Sequence, residues 1–260
     1  MTLSIDLSNR RVLVTGAGQG VGRGICHAVA SAGGTAIVND YVPERSHAVV
    51  AEIEAEGGRA ESAPFDVSDH AAATAAIDAA GRVDVLVNNA GNAGPEGFAM
   101  KPFVESDPSE WQRYIAVNLF GAMNCTHAAL PGMIEREHGR VITIVSDAAR
   151  CGEPTLAPYS AAKAGAAGLT RAVAREVGRY GITVNNIALA SIDPTGGHTD
   201  LARSQAGMEE QADKRLRSYI IRRLGRPDEV AALVTYLASD FGAWITGQTI
   251  PLNGGYTVNQ

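Results

Sequence analysis

The 260 residues carry 22 Lys and Arg against 28 Asp and Glu, a formal net charge of -6, with 45% hydrophobic and 19% charged residues. This composition excludes a disordered tail or a fibre, and the acidic balance argues against a protein that wraps nucleic acid. No run of 18 apolar residues exists, which excludes a membrane-spanning helix, and Arg10 and Arg11 follow the first apolar residues, the reverse of a secretory leader.

In chain order, an apolar run at Val12–Thr15 leads through a glycine-rich turn into a helix near 21–32. Ala36–Asn39 precedes a helix near 43–57, and a weaker run, Ala60–Phe65, precedes one near 69–81 that Ser68 or Asp69 is placed to cap. Val83–Asn88 leads to a long helical stretch over 108–136, and Val141–Val145 to one over 157–180. Thr183–Ile187 runs into an irregular segment. Pro227-Asp-Glu then opens a helix near 227–239, and Gln248–Leu252 is the last strand. Apolar strands alternating with helices predict an α/β doubly wound, parallel seven-stranded sheet with helices on both faces, a Rossmann fold. No linker, repeat or low-complexity tract interrupts residues 1–260, which read as a single domain.

The irregular segment near 191–223 contains Pro194 and the pair Gly196 and Gly197, then a charged, helix-like stretch. It follows the sixth strand at the carboxyl edge, where open α/β sheets bind ligands. A substrate lid is one reading and a solvated excursion is the other.

The turn after the first strand reads Thr15-Gly-Ala-Gly-Gln-Gly-Val-Gly22, with glycines at Gly16, Gly20 and Gly22 rather than in GxGxxG spacing. The physical need is the same: a tight turn, close approach of backbone to a pyrophosphate, and helix N-terminal amides facing negative charge. Asp40 ends the second strand, 24 residues after Gly16. A carboxylate there accepts hydrogen bonds from ribose hydroxyls and repels a 2′-phosphate, which favours NAD over NADP; neither Tyr41 nor Val42 supplies a phosphate-binding cation.

Tyr159 and Lys163 lie four apart on a predicted helix and share a face. An unperturbed tyrosine, with a pKa near 10, is a poor base at neutral pH. Lowering it by three units costs about 4 kcal/mol, roughly what one cation at about 4 Å supplies at an effective dielectric of 20. Lys163 is placed to be that cation, aided by an oxidised nicotinamide. Ser146, 13 residues before Tyr159 at the end of a strand, is placed to hydrogen-bond a carbonyl or alcohol oxygen as charge develops on it.

With these motifs in order, the chain resembles the single-domain short-chain dehydrogenase/reductase family along essentially its whole length. The matching residues are Thr15–Gly22, Asp66-Val67, Asn88-Asn-Ala-Gly91, Asn118, Ser146, Tyr159 and Lys163, then Arg223-Leu-Gly-Arg-Pro-Asp-Glu-Val and Leu237-Ala-Ser-Asp followed by Ile245-Thr-Gly-Gln. The resemblance implies that Tyr159 is the acid/base and Ser146 orients the substrate oxygen. It implies that Lys163 holds the nicotinamide ribose and that Asn118 positions a water in a proton relay. The cofactor, NAD, is then expected along Gly16, Gln19, Gly20, Val21, Gly22, Asp40 and Tyr41, with Asp66 and Val67 beside adenine. Asn89, Ala90, Gly91, Tyr159, Lys163 and Ile192 complete the expected cofactor set. A homotetramer is implied too, with the small residues Ala161–Gly168 permitting close helix approach.

Two departures stand out. Where the family usually has Asn-x-Ile-x-Pro-Gly, this chain has Leu189 and Ala190, and the family's downstream Thr falls at Pro194, with Thr195 beside it. The three cysteines, Cys26, Cys125 and Cys151, are odd in number and widely spaced, as in reduced cytoplasmic proteins. The six histidines form no metal-ligand spacing, so no metal is expected.

The expected activity is interconversion of a secondary alcohol and a ketone by hydride transfer, on a small hydroxy or keto substrate. Lys101-Pro-Phe with Glu110-Trp, Leu130–Arg140 and Ser146–Arg150 are similar to 2-hydroxycyclohexanecarboxyl-CoA dehydrogenases. Arg203, Lys214, Arg215, Arg217, Arg222 and Arg223 form a cation cluster suited to CoA phosphates, or else a solvated face neutralised by Glu209, Glu210 and Asp213. An NADPH-dependent 3-oxoacyl-thioester reductase and a noncatalytic nucleotide-binding module are the alternatives.

Overall fold

The alternation of side chains along each strand decides which helices each face can bury. In the computed structural model, which describes residues 4–91, 100–193, 214 and 216–258, there are seven strands. They are β1 (Arg11–Val14), β2 (Thr35–Val38), β3 (Arg59–Ser62), β4 (Val85–Asn88), β5 (Gly139–Ser146), β6 (Ile182–Leu189) and β7 (Thr249–Leu252). They form one sheet in the order β3-β2-β1-β4-β5-β6-β7, with every pair parallel. The helices between them are α1 (Gly20–Ser31), α2 (Pro43–Ala55), α3 (His70–Ala80), α4 (Pro108–Ile115), α5 (Gly121–Glu135), α6 (Ala157–Val177) and α7 (Pro227–Ala238).

Val12, Val14, Val85 and Val87 pack on one face with Ile25, Val29, Ile53 and Val234 of α1, α2 and α7. Leu13, Ile37, Leu86 and Val141 pack on the other with Ile77, Cys125, Met133 and Val173 of α3, α5 and α6. Each such buried aliphatic side chain contributes about 1.5–3 kcal/mol. This is the doubly wound architecture read from the alternation of elements. Strand order reverses between β1 and β4, and a ligand crevice is expected beyond the carboxyl ends of strands at such a point.

Local chemistry sets several boundaries. Asp69, one of the two expected caps, accepts the N–H groups of Ala71 and Ala72 at 2.9 and 3.0 Å and so starts α3. β5 and β6 outrun their apolar segments because pairing continues to Ser146 opposite Leu189. Leu189, the departure from the family pattern, is simply the buried last residue of β6.

The stretch expected as one helix over 108–136 contains a π-helical turn, Ala116–Phe120, between α4 and α5. Within it the Asn118 side-chain amide donates to the Tyr114 carbonyl at 2.9 Å, an acceptor one turn back. A widened turn of this kind re-aims a side chain, here Asn118. Among the described residues, no helix is long and apolar enough to cross a membrane.

Candidate active site and cofactor cradle

β1 and β4 are tied together at their carboxyl ends. The Thr15 hydroxyl accepts the N–H groups of Asn89 and Ala90, each at 3.0 Å, and the Asn89 amide donates back to the carbonyls of Thr15 and Gly16 at 2.9 and 3.0 Å. Gly16 and Gly20 have φ of +62° and +56°, a conformation that L side chains rarely adopt. A Cβ at Gly22 would lie 2.6 Å from both the Gly16 carbonyl oxygen and the Asn89 amide nitrogen, so α1 can approach the turn this closely only at glycine.

The cradle fits a dinucleotide. Gln19 caps α1 without a side-chain hydrogen bond, so the first-turn N–H groups of Gly20, Val21 and Gly22 receive no acceptor from it, as suits a pyrophosphate. Asp40 is buried beside the turn, with its carboxylate accepting the Gly18 N–H at 3.0 Å and the Val42 N–H at 2.9 Å. Tyr41 stands exposed at the rim. Asp66 accepts both the N–H and the hydroxyl of Ser68, at 2.8 and 2.7 Å. Val67 is buried over Gly121, and its carbonyl accepts the Asn124 amide at 2.9 Å, which pins the β3–α3 loop to α5.

Sequence reading missed Arg45. A Cβ at Gly18 would lie 2.4 Å from the Cβ of Arg45 and 2.6 Å from Asp40 Oδ2, so the exposed Arg45 stem and the Asp40 carboxylate border the same spot. The signal was present as the third residue of α2, but only the packing of α2 brings it to the turn.

Across the crevice, Asn118, Ser146, Tyr159 and Lys163 converge. The position a Cβ of Gly91 would occupy is 3.0 Å from both Asn118 Oδ1 and Lys163 Nζ. Lys163 is buried on α6 and donates to the Ile144 carbonyl at 2.8 Å; burial pulls its pKa down from 10.5 to about 8. Its Nζ sits 5.8 Å from the Tyr159 ring centroid. Tyr159 hydrogen-bonds Ser146, whose Oγ accepts the Ala148 N–H at 3.2 Å.

Two opposed effects act on the Tyr159 phenol. Burial pushes it above its ordinary value of 10.0, and the Ser146 hydrogen bond pulls it partly back. One of the three Lys163 ammonium N–H groups donates to the Ile144 carbonyl, which leaves two for other acceptors.

At the edge of the site, Ile192 forms a β-bridge to Gly225. Pro194, Thr195, Gly196 and Gly197, and the rest of the expected lid up to residue 213, lie outside the described residues, as do Arg203 and Arg215. Lys214, Arg217 and Arg222 are exposed, whereas Arg223 is clasped by Glu229 through bonds of 2.5 and 2.9 Å. Cys26 and Cys125 are buried free thiols; burial pushes Cys125 up to about 12. Cys151 is exposed, but partial burial and the charges of Glu153 and Asp147 hold its thiol above the ordinary value, which does not suit a nucleophile.

Residues 10–206 match the family model described as short chain dehydrogenase. The chain is 37% identical to the (2S)-[(R)-hydroxy(phenyl)methyl]succinyl-CoA dehydrogenase subunit BbsD of Thauera aromatica, over 96% of this chain and 98% of the relative. Among solved structures it is similar to a 3-oxoacyl-[acyl-carrier protein] reductase with bound NAD from Brucella melitensis, at a TM-score of 0.86 and 33% identity, covering 99% of this chain and 97% of that one. It is also similar to a gluconate 5-dehydrogenase from Burkholderia cenocepacia in complex with NADP and tartrate, at a TM-score of 0.88 and 32% identity, covering 99% and 98%.

Proposed function

The chain belongs to the short-chain dehydrogenase family, enzymes that interconvert alcohols and ketones with a nicotinamide cofactor, and from that premise we propose that it oxidises a cyclic or β-hydroxyacyl-CoA with NAD. The observation that carries the catalytic assignment is a run of neighbours: Asn118 and Lys163 beside Gly91, Lys163 near the Tyr159 ring, and Tyr159 hydrogen-bonded to Ser146.

In the oxidative direction the substrate hydroxyl lies against Ser146 and Tyr159. The Ser146 hydroxyl donates to the oxygen as negative charge develops on it, and the Tyr159 phenolate oxygen takes the proton. Lys163 supplies positive charge near Tyr159, and Asn118 Oδ1 and Lys163 Nζ, both facing Gly91, border the route by which the proton leaves through water. The bound dinucleotide supplies the hydride acceptor. In reduction the same groups act in reverse.

Asp40 supports NAD. A 2′-phosphate would place a second anion against a buried carboxylate already oriented by two backbone amides. Arg45 favours a second reading, an NADPH-dependent 3-oxoacyl-thioester reductase, because it offers a cation at the same edge.

The CoA carrier is supported by the CoA-linked relative and by the exposed cations Lys214, Arg217 and Arg222; Arg223, paired with Glu229, contributes less. Assembly reads as a homotetramer, supported by the small exposed positions Ala161 and Ala164 on α6 and by the exposed apolar Phe120 and Met123. The free cysteines support a cytoplasmic location.

The test is NAD reduction with a hydroxyacyl-CoA, the matching free acid and a simple cyclic alcohol. Faster turnover of the CoA thioester supports the proposal; equal or better turnover of the CoA-free compounds leaves a plain alcohol dehydrogenase. Light scattering at micromolar concentration checks the assembly, and a monomer contradicts it.

A further inference from the structure

The turn that follows β5 is anchored at Asp147, one residue beyond Ser146. Asp147 is 1% exposed, and every hydrogen-bonding group it has is engaged. One carboxylate oxygen accepts Arg150 at 2.9 Å; the other accepts the Asn253 amide at 2.6 Å and the Thr257 hydroxyl at 2.8 Å. Its N–H donates to the Leu189 carbonyl at 2.9 Å, and its own carbonyl accepts the N–H groups of Arg150 and Cys151 at 2.8 and 2.9 Å.

Asn253 and Thr257 come from the segment after β7, roughly a hundred residues further along the chain. The same segment grips the far end of the turn, where the Tyr256 hydroxyl donates to Glu153 at 2.6 Å. The clamped turn is the one whose Ala148 N–H donates to Ser146 Oγ at 3.2 Å. That donation occupies one lone-pair direction of Oγ, which limits the directions open to its single O–H.

We propose that Asp147, clamped by Asn253 and Thr257 of the C-terminal segment, is a positioning residue that sets the Ser146 hydroxyl for proton transfer. The inference rests on the assignment of Ser146 and Tyr159 above. An ionised carboxylate and its arginine partner, taken out of water, are a poor way to add stability, since apolar residues of similar volume commonly do as well or better. What the carboxylate supplies instead is direction: one donor from its own turn and two from a single distant segment meet on one group next to the reacting serine. A substrate-binding role does not fit, because the carboxylate is 1% exposed and encloses three internal side-chain donors.

The test uses Thr257→Val, Thr257→Ser and the double variant Asn253→Ala/Thr257→Val, none of which touches the residues assigned to chemistry. Amide hydrogen exchange of the 146–152 peptide reads the clamp without any substrate. Turnover of the best NAD-dependent alcohol substrate of the wild type reads its consequence. The double variant should exchange 146–152 on the order of tenfold faster, with β1 and β4 unchanged. Its kcat should fall on the order of tenfold or more while the NADH Kd stays within about twofold, and Thr257→Ser should retain activity that Thr257→Val loses.

Wild-type exchange and wild-type kcat in the double variant, even with a lowered Tm, would overturn the proposal and leave the clamp a structural tie. A Tyr159→Phe control running at the wild-type rate would instead overturn the catalytic assignment beneath it.

Discussion

Asp40 accepts the Gly18 backbone N–H at 3.0 Å, which ties the end of β2 to the glycine turn after β1. Its other oxygen accepts the Val42 N–H at 2.9 Å, so the carboxylate is oriented before a ligand arrives. Pre-organisation of this kind lowers the ordering cost of binding a ribose diol and makes the group a fixed obstacle to a phosphate.

Cofactor choice should therefore follow Asp40, with Arg45 as the opposing group. The wild type should prefer NAD, and Asp40→Ala should shift the NAD to NADP ratio of kcat/KM toward NADP by about tenfold to a hundredfold, the scale of one charged hydrogen bond. Because Arg45 remains to meet a 2′-phosphate, Asp40→Ala/Arg45→Ala should lose most of the gain in NADP use. Equal efficiency of the wild type with NADH and NADPH would contradict this account.

Tyr159→Phe removes only the proton-transferring hydroxyl. Turnover should drop by about a hundredfold or more while NADH affinity, read by fluorescence titration, is largely kept. Lys163→Ala should damage both. A near-normal rate for Tyr159→Phe would place the chemistry elsewhere.

The buried Lys163 has a stability signature. Its pKa in the folded protein is about 8, below the ordinary 10.5, so between these values the unfolded chain binds a proton that the native protein does not. Stability from this group consequently rises with pH across that window, by up to about 3 kcal/mol. Urea denaturation of wild type and Lys163→Met between pH 7.5 and 10 should show the wild type gaining on the variant as pH rises. A constant difference would mean that Lys163 is not desolvated.

Gly22→Ala should weaken both the fold and the cofactor site. The added Cβ would meet the Gly16 carbonyl and the Asn89 amide at 2.6 Å and the Ala17 backbone at 2.8 Å. The expected cost is about 1–3 kcal/mol, with weaker NADH binding, since the turn must shift. Gly178→Ala is the control, because nothing lies within 4 Å of its Cβ position, and its Tm should stay level or rise slightly. Thermal melts and NADH titration of both variants distinguish the cases.

The sequence by itself determined the sheet and its cradle. Alternating Val and Ile runs have no other way to bury both faces, and the spacing of Gly16, Gly20, Gly22 and Asp40 acts through backbone geometry over a single βαβ unit. Tyr159 and Lys163 were legible for the same reason, since four residues on a helix share a face whatever surrounds them. Only the tertiary structure decided what those groups experience. It desolvated the half-buried Tyr159 so that its phenol rises, and it turned Lys163 to the Ile144 carbonyl. It opened a π-turn to aim Asn118, brought Arg45 to Gly18, and clamped Asp147 with Asn253 and Thr257. Periodicity and short spacing survive in a linear string because they depend on local dihedral angles. Desolvation and hydrogen-bond partners depend on which distant segments pack together, and that is set only when the chain closes on itself.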